Sequence, residues 1–91
     1  MKYAVIGGQY EKCCYGVFDS LQGAKICATK NEEYWDNWQG WNTPKIYDFD
    51  DTMEIESKGR ITTCDGVMVR LPKPDATPLF YKNNGKWEEY N

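Results

Sequence analysis

The first thirty residues constrain the fold of this chain more than any other stretch. Tyr3 and Val5, then Cys13, Tyr15 and Val17, recur at every second position, the spacing of paired strands that each bury one face. Met1 to Gly8 reads as a strand that runs into a turn at Gly7-Gly8, with Gln9 to Lys12 as the exposed tip, and Cys13 to Phe18 reads as the returning strand. Asp19 to Ala28 reads as a capped helix. Either Asp19 or Ser20 can serve as N-cap, and Asp19 with Gln22 three residues on fits the reciprocal capping pattern. Leu21, Ala24 and Ala28 share one helical face with Cys27 beside them, and Gly23 weakens the helix while permitting close approach to the sheet.

Beyond the helix the period changes twice. In residues 31–43, Tyr34, Trp38 and Trp41 stand at i, i+4 and i+7, and Trp35 and Trp38 share an i, i+3 edge. Gly40 and Pro44 limit any helix there to about two turns, so the segment is expected to be a short helix or an aromatic loop. From Lys45 the period returns to two. Lys45 to Asp50 and Thr52 to Ser57 read as strands, followed by a tight Lys58-Gly59-Arg60 connection, a strand over Ile61 to Cys64, a turn at Asp65-Gly66 and a strand over Val67 to Leu71. Pro72 to Pro78 reads as a stiff extended loop, and Leu79 to Lys82, Asn84-Gly85 and Lys86 to Tyr90 as a last hairpin. The expected fold is therefore α+β. Residues 1–91 form one small domain, an antiparallel sheet of five to seven strands packed by a main helix over about 20–30 and, if the aromatic segment coils, by a second over about 32–39.

Composition narrows the chemistry. Ninety-one residues allow a modest core, and four Trp and seven Tyr supply large buried area per residue. Three leucines argue against a helical bundle. The chain has no histidine, which removes the commonest general base and metal ligand together. No apolar run approaches the roughly 20 residues of a membrane span, and no leader is legible, so a cytosolic protein is expected. The four cysteines form no C-x-x-C pair. Adjacent Cys13 and Cys14 suit one buried and one exposed thiol, so free, packing thiols are expected, a single Cys14–Cys27 or Cys13–Cys64 bridge being the alternative. The net charge of −3 is uneven: residues 31–56 hold eight acids against Lys45, a local −7, and the remainder holds six acids against ten bases, +4. Direct nucleic-acid binding through so acidic a centre is disfavoured, and a basic partner is favoured.

The string Tyr3-x-Val5-x-Gly7-Gly8, then Tyr15-Gly16-Val17-Phe18-Asp19-Ser20 with Ala24-Lys25 in the helix, resembles the opening of many short proteins encoded by bacteriophages and prophages. Some small anti-CRISPR proteins share this hairpin–helix style. The resemblance covers about the first thirty residues and carries no catalytic position. It implies a phage context inside a bacterial host, and action by binding a host defence component.

Two constellations remain as candidate sites. Tyr34, Trp35, Trp38 and Trp41, interleaved with Glu32, Glu33 and Asp36, offer the residue types that dominate binding hot spots. The string Asp48, Asp50 and Asp51, followed by Glu54 and Glu56, offers an acidic face for steering or charge mimicry. As a cation site it lacks the EF-hand glycine, and no metal is expected. Gly7-Gly8 is not a phosphate loop, since no Gly-Lys-Ser/Thr completes it. No base–nucleophile pair or cofactor motif is present. The expectation is a non-catalytic inhibitor, without cofactor, that binds a host protein or ribonucleoprotein bearing a basic surface. The alternative is an oligomeric sponge for a nucleotide-type signalling ligand, with Trp38 and Trp41 stacking the base and Arg70 or Lys73 holding phosphate.

Overall fold

Ala4, Val5 and Ile6 are consecutive and all buried. A strand buried on successive residues must be covered on both faces, and the rest of the fold supplies the two covers. The structure, a computed structural model, describes residues 1–9, 12–56 and 68–90. Strand β1 (Tyr3–Gly7) lies between β2 (Cys13–Phe18) and β5 (Lys45–Asp48) in a five-stranded antiparallel sheet of order β2-β1-β5-β8-β9, completed by β8 (Phe80–Asn83) and β9 (Lys86–Glu89). One helix, α1 (Leu21–Lys30), crosses one face. The architecture is α+β and mostly sheet, with the helix a small fraction.

Ser20 is the N-cap, and its side chain accepts from the Gly23 N–H at 3.1 Å. Ala24 and Ala28 are the buried helix positions, and their small side chains bring the helix down onto Val5 and Ile46, which oppose each other across β1 and β5. Tyr3, Phe18, Leu21, Phe80 and Trp87 pack around that cluster. A Cβ on Gly23 would stand 3.3 Å from the Phe18 ring, so the close approach expected there occurs. Burying Val5 and Ile46 contributes about 1.5–3 kcal/mol each.

The opposite face buries Ala4, Ile6 and Tyr47 with Cys14 and Ala76 packed against them. Ala76 arrives from the Pro72–Pro78 segment. That segment is not simply extended: the Ala76 N–H donates to the Lys73 carbonyl at 3.0 Å, closing a turn with Pro74 in the position where its fixed φ is favourable. A two-stranded ladder of β6 (Thr52–Glu56) and β7 (Met68–Pro72) runs from Thr52↔Pro72 to Glu56↔Met68, and β7 lies against β2. The described partner of β7 is thus β6. The expected strand 61–64 and the Asp65-Gly66 turn lie outside the described residues. A single 3-10 turn, Phe49–Asp51, ends β5 earlier than the sequence suggested. The last hairpin forms as expected, with Asn84 at φ 51° and Gly85 at φ 80°, the pair of positive values that a two-residue hairpin loop requires.

The second helix does not form. Residues 33–42 are a hairpin of β3 (Glu33–Asp36) and β4 (Gly40–Asn42). Asp36 decides this: one of its carboxylate oxygens accepts from the backbone N–H groups of Trp38 at 2.8 Å and Gln39 at 2.6 Å. That contact turns the chain and competes with helical hydrogen bonding. Gly40, at φ 64°, occupies a left-handed position that costs other residues more. Aromatic residues also favour strands.

Cys13 is buried and Cys14 half-buried, and both are free thiols, so neither bridge considered above forms. Among the described residues no helix is long and apolar enough to cross a membrane.

Gly7 packs directly on Pro44, the residue that leads from the β3–β4 hairpin into β5. A Cβ there would stand 3.0 Å from both Cα and Cβ of Pro44, and backbone must give way. Gly7→Ala is expected to destabilise the fold by about 1–3 kcal/mol in urea denaturation; an unchanged midpoint would show that Pro44 is not held against β1.

Candidate functional site

The β3–β4 hairpin separates its residues by face. Its register pairs Glu33 with Asn42, Tyr34 with Trp41 and Asp36 with Gly40, so Trp35 is the extra residue of a bulge. On the outer side the Tyr34 and Trp41 rings meet edge to face at a centroid distance of 5.7 Å, and the Tyr34 hydroxyl donates to Asn37 Oδ1. Trp38 stands at the tip. Trp38 is 96% exposed, Trp41 67% and Tyr34 51%. The i, i+4, i+7 spacing that suggested a helix therefore reflects a cross-strand pair and a loop tip.

Trp35 turns the other way. It is half-buried, and its indole Nε1 is a buried polar atom with no hydrogen-bond partner among the described residues. Two weak contacts join this side of the hairpin to the body: Gln9 Nε2 donates to the Trp35 carbonyl at 3.4 Å, and the Tyr15 hydroxyl to Glu33 Oε1 at 3.5 Å. Between the hairpin and the β1–β2 end of the sheet lies a cavity of about 170 Å³. Its apolar wall includes Ile6, Pro44 and Tyr47, and its polar wall includes Lys12, Tyr15 and Lys45.

The acidic residues have separate duties. Glu32 pairs with Lys82 at 2.8 Å and ties the start of the hairpin segment to β8. Asp36 holds the hairpin turn. Asp48 accepts from the Asp50 N–H at 3.0 Å and caps the 3-10 turn, leaving Asp50 and Asp51 exposed. That turn follows β5, whereas the aromatic hairpin precedes it and sits by Gln9. The surface expected to combine Trp35, Trp38, Trp41 and Tyr34 with Asp48, Asp50 and Asp51 is therefore divided between the two ends of β5, with Trp35 turned inward. Among the described residues no group of three or more Cys, Asp or Glu side chains is arranged to hold a metal ion.

The alternative ligand site is also divided. Arg70 pairs with Glu54 and lays its guanidinium over the Phe49 ring at 4.0 Å. The Lys73 N–H donates to the Asp51 carbonyl at 2.9 Å. Arg70 by its side chain and Lys73 by its backbone alone contact the 49–51 turn, and among the described residues no hydrogen bond, ion pair or ring contact links them to Trp38 or Trp41. The cavity by Trp35 escaped the sequence because its lining comes from the start of β2 (Lys12, Tyr15), from β3 (Trp35) and from β5 (Lys45), three segments with no shared spacing.

Two expectations can be measured. Asp36→Ala should raise amide exchange at Trp38 and Gln39 and cost about 1–2 kcal/mol; unchanged exchange at both amides would remove Asp36 from the turn. Burial pushes the Tyr15 phenol up, and Cys13 and Glu33 act in the same direction; burial also raises Tyr47. Below the ordinary tyrosine pKa of 10.0 both folded and unfolded chains keep these protons. Above it the unfolded chain releases protons that the fold retains, so stability falls as pH rises. Tyr15→Phe should flatten that alkaline decline in denaturation measured across pH, and an unaltered slope would contradict the assignment.

Comparison of the chain with protein-family models, with curated proteins and with solved structures finds no match.

Proposed function

We propose that this chain is a non-catalytic binding protein that docks its aromatic hairpin onto a bacterial host immune component, in the manner of small phage-encoded anti-defence proteins. One observation carries the binding part of the reading: Trp38 stands almost wholly in solvent beside the exposed Tyr34–Trp41 pair. Burying a large apolar side chain would contribute about 1.5–3 kcal/mol to a small fold that has little to spare. Instead, the chain presents three aromatic rings on a hairpin whose turn is held by two backbone N–H groups donating to Asp36. Rigid aromatic anchors of this kind dominate protein interfaces. Asp36, in the turn between the rings, gives that surface a negative charge that suits a basic partner. Asp50 and Asp51, at the other end of β5, act at longer range by steering the approach.

The host-defence part rests on the resemblance of residues 1–30 to phage and prophage proteins, and on a binding surface in a chain with no catalytic constellation. A CRISPR–Cas effector, with its basic nucleic-acid groove, is the kind of partner that fits. Sequestration of a nucleotide signal is the weaker reading, because the Arg70 side chain is engaged with Glu54 and Phe49 and Lys73 stands on the segment tethered by its backbone to the 49–51 turn, at the other end of β5 from the exposed rings.

Expression of the chain in bacteria protected by a CRISPR–Cas system should restore plaque formation by a targeted phage. A Trp38→Ala, Trp41→Ala variant should lose that effect with its denaturation midpoint within about 0.5 kcal/mol of the parent. Direct binding to the effector should weaken about thirtyfold or more. Full activity in the double variant would exclude the hairpin as the binding surface. No effect of the parent chain against any of several defence systems would overturn the anti-defence reading.

A further inference from the structure

The cavity behind the hairpin has properties that the docking surface does not use. At about 170 Å³ it is slightly larger than an engineered apolar cavity of about 150 Å³ that admits benzene, and well below the roughly 300 Å³ at which drug-sized pockets begin. A single ring or a short chain fits it. Its lining is mixed. Ile6, Pro44 and Tyr47 are buried apolar surface, while among the described lining residues Lys12 and Lys45 place two exposed cations at the edge against the one carboxylate of Glu33. A ligand carrying one negative charge would balance that set.

One residue of the wall, Trp35, also carries an unpaired donor. A buried polar group left unpaired costs about 1–3 kcal/mol, and such groups call for a specific explanation. Among the described residues, the buried side-chain polar atom with no partner is Trp35 Nε1, and Trp35 lines this cavity. As the neighbour of Tyr34 along β3, Trp35 points away from the outward-facing Tyr34–Trp41 pair.

We infer that the cavity between the β1–β2 end of the sheet and the β3–β4 hairpin binds a small monoanion with a single-ring or short-chain apolar body, an aromatic or aliphatic carboxylate. Its ring or chain packs on Ile6, Pro44 and Tyr47. Its carboxylate is balanced by Lys12 and Lys45, with Trp35 beside it in the wall. This site is separate from the exposed rings of Tyr34, Trp38 and Trp41 and stands whether or not they dock a host protein.

Titration of the ¹⁵N-labelled chain with benzoate and, separately, with the neutral isostere benzyl alcohol tests the assignment. The Trp35 indole resonance is identified by its loss in Trp35→Phe, which keeps an aromatic ring and removes the donor. With benzoate, that resonance should shift and saturate, with the Trp38 and Trp41 indoles little moved. Benzyl alcohol should bind several-fold more weakly, and Lys12→Gln and Lys45→Gln should each weaken benzoate about two- to fivefold, the range of an exposed charge pair. Because the alcohol is compared on the unaltered chain, the result does not depend on any variant folding. Equal affinity for the alcohol would overturn the anionic assignment. A shift that never saturates, or one centred on the Trp38 and Trp41 indoles, would overturn the site.

Discussion

The contact between Val5 and Ile46 is the constraint from which the rest of this structure follows. Both are fully buried and face each other across β1 and β5. Because β1 is also buried through Ala4 and Ile6 on its reverse face, it can only be a central strand, and each face needs a cover. The helix covers one face because Ala24 and Ala28 are small enough to sit directly on Val5 and Ile46. On the other face, Cys14 and Ala76 pack on Ala4, Ile6 and Tyr47, and the 73–79 segment that brings in Ala76 is tethered to the 49–51 turn through the Lys73 N–H.

The aromatic hairpin stands apart from the Val5–Ile46 contact. It attaches through Pro44 against Gly7, through Glu32 to Lys82, and through long hydrogen bonds from Gln9 and Tyr15. That arrangement gives the hairpin two distinct faces. The outer one exposes Tyr34, Trp41 and the tip Trp38, a surface suited to a large partner. The inner one places Trp35 over a cavity too small for anything but a small molecule. Strand alternation accounts for the division: Tyr34 and Trp35 are neighbours along β3 and so point to opposite faces of the hairpin.

Much of the scaffold was legible in the sequence because the signals were local. The alternation of Tyr3 and Val5, the Ser20 cap, the Leu21/Ala24/Ala28 face and the Asn84-Gly85 turn each depend on residues within a few positions of one another. Where two local signals competed, the choice was not legible. Tyr34, Trp38 and Trp41 satisfy a helical spacing as well as they satisfy a hairpin. What excluded the helix was the carboxylate of Asp36, whose two backbone contacts close a turn that spacing alone does not reveal. The Lys45 to Asp50 strand likewise ended early, because Asp48 caps the following turn instead of continuing the ladder.

The sequence by itself determined the β–turn–β–α opening, the α+β class and the last hairpin, since backbone preference and short-range periodicity are properties of neighbouring residues. Tertiary structure decided which candidate residues share a surface. The exposed aromatic rings and the Asp50–Asp51 carboxylates are close in sequence but lie at opposite ends of β5, because an intervening strand carries the chain across the sheet. Lys12, Tyr15, Trp35 and Lys45 are scattered in sequence yet line one cavity, because strand pairing and the packing of Gly7 on Pro44 bring their segments together, and no local spacing encodes that meeting.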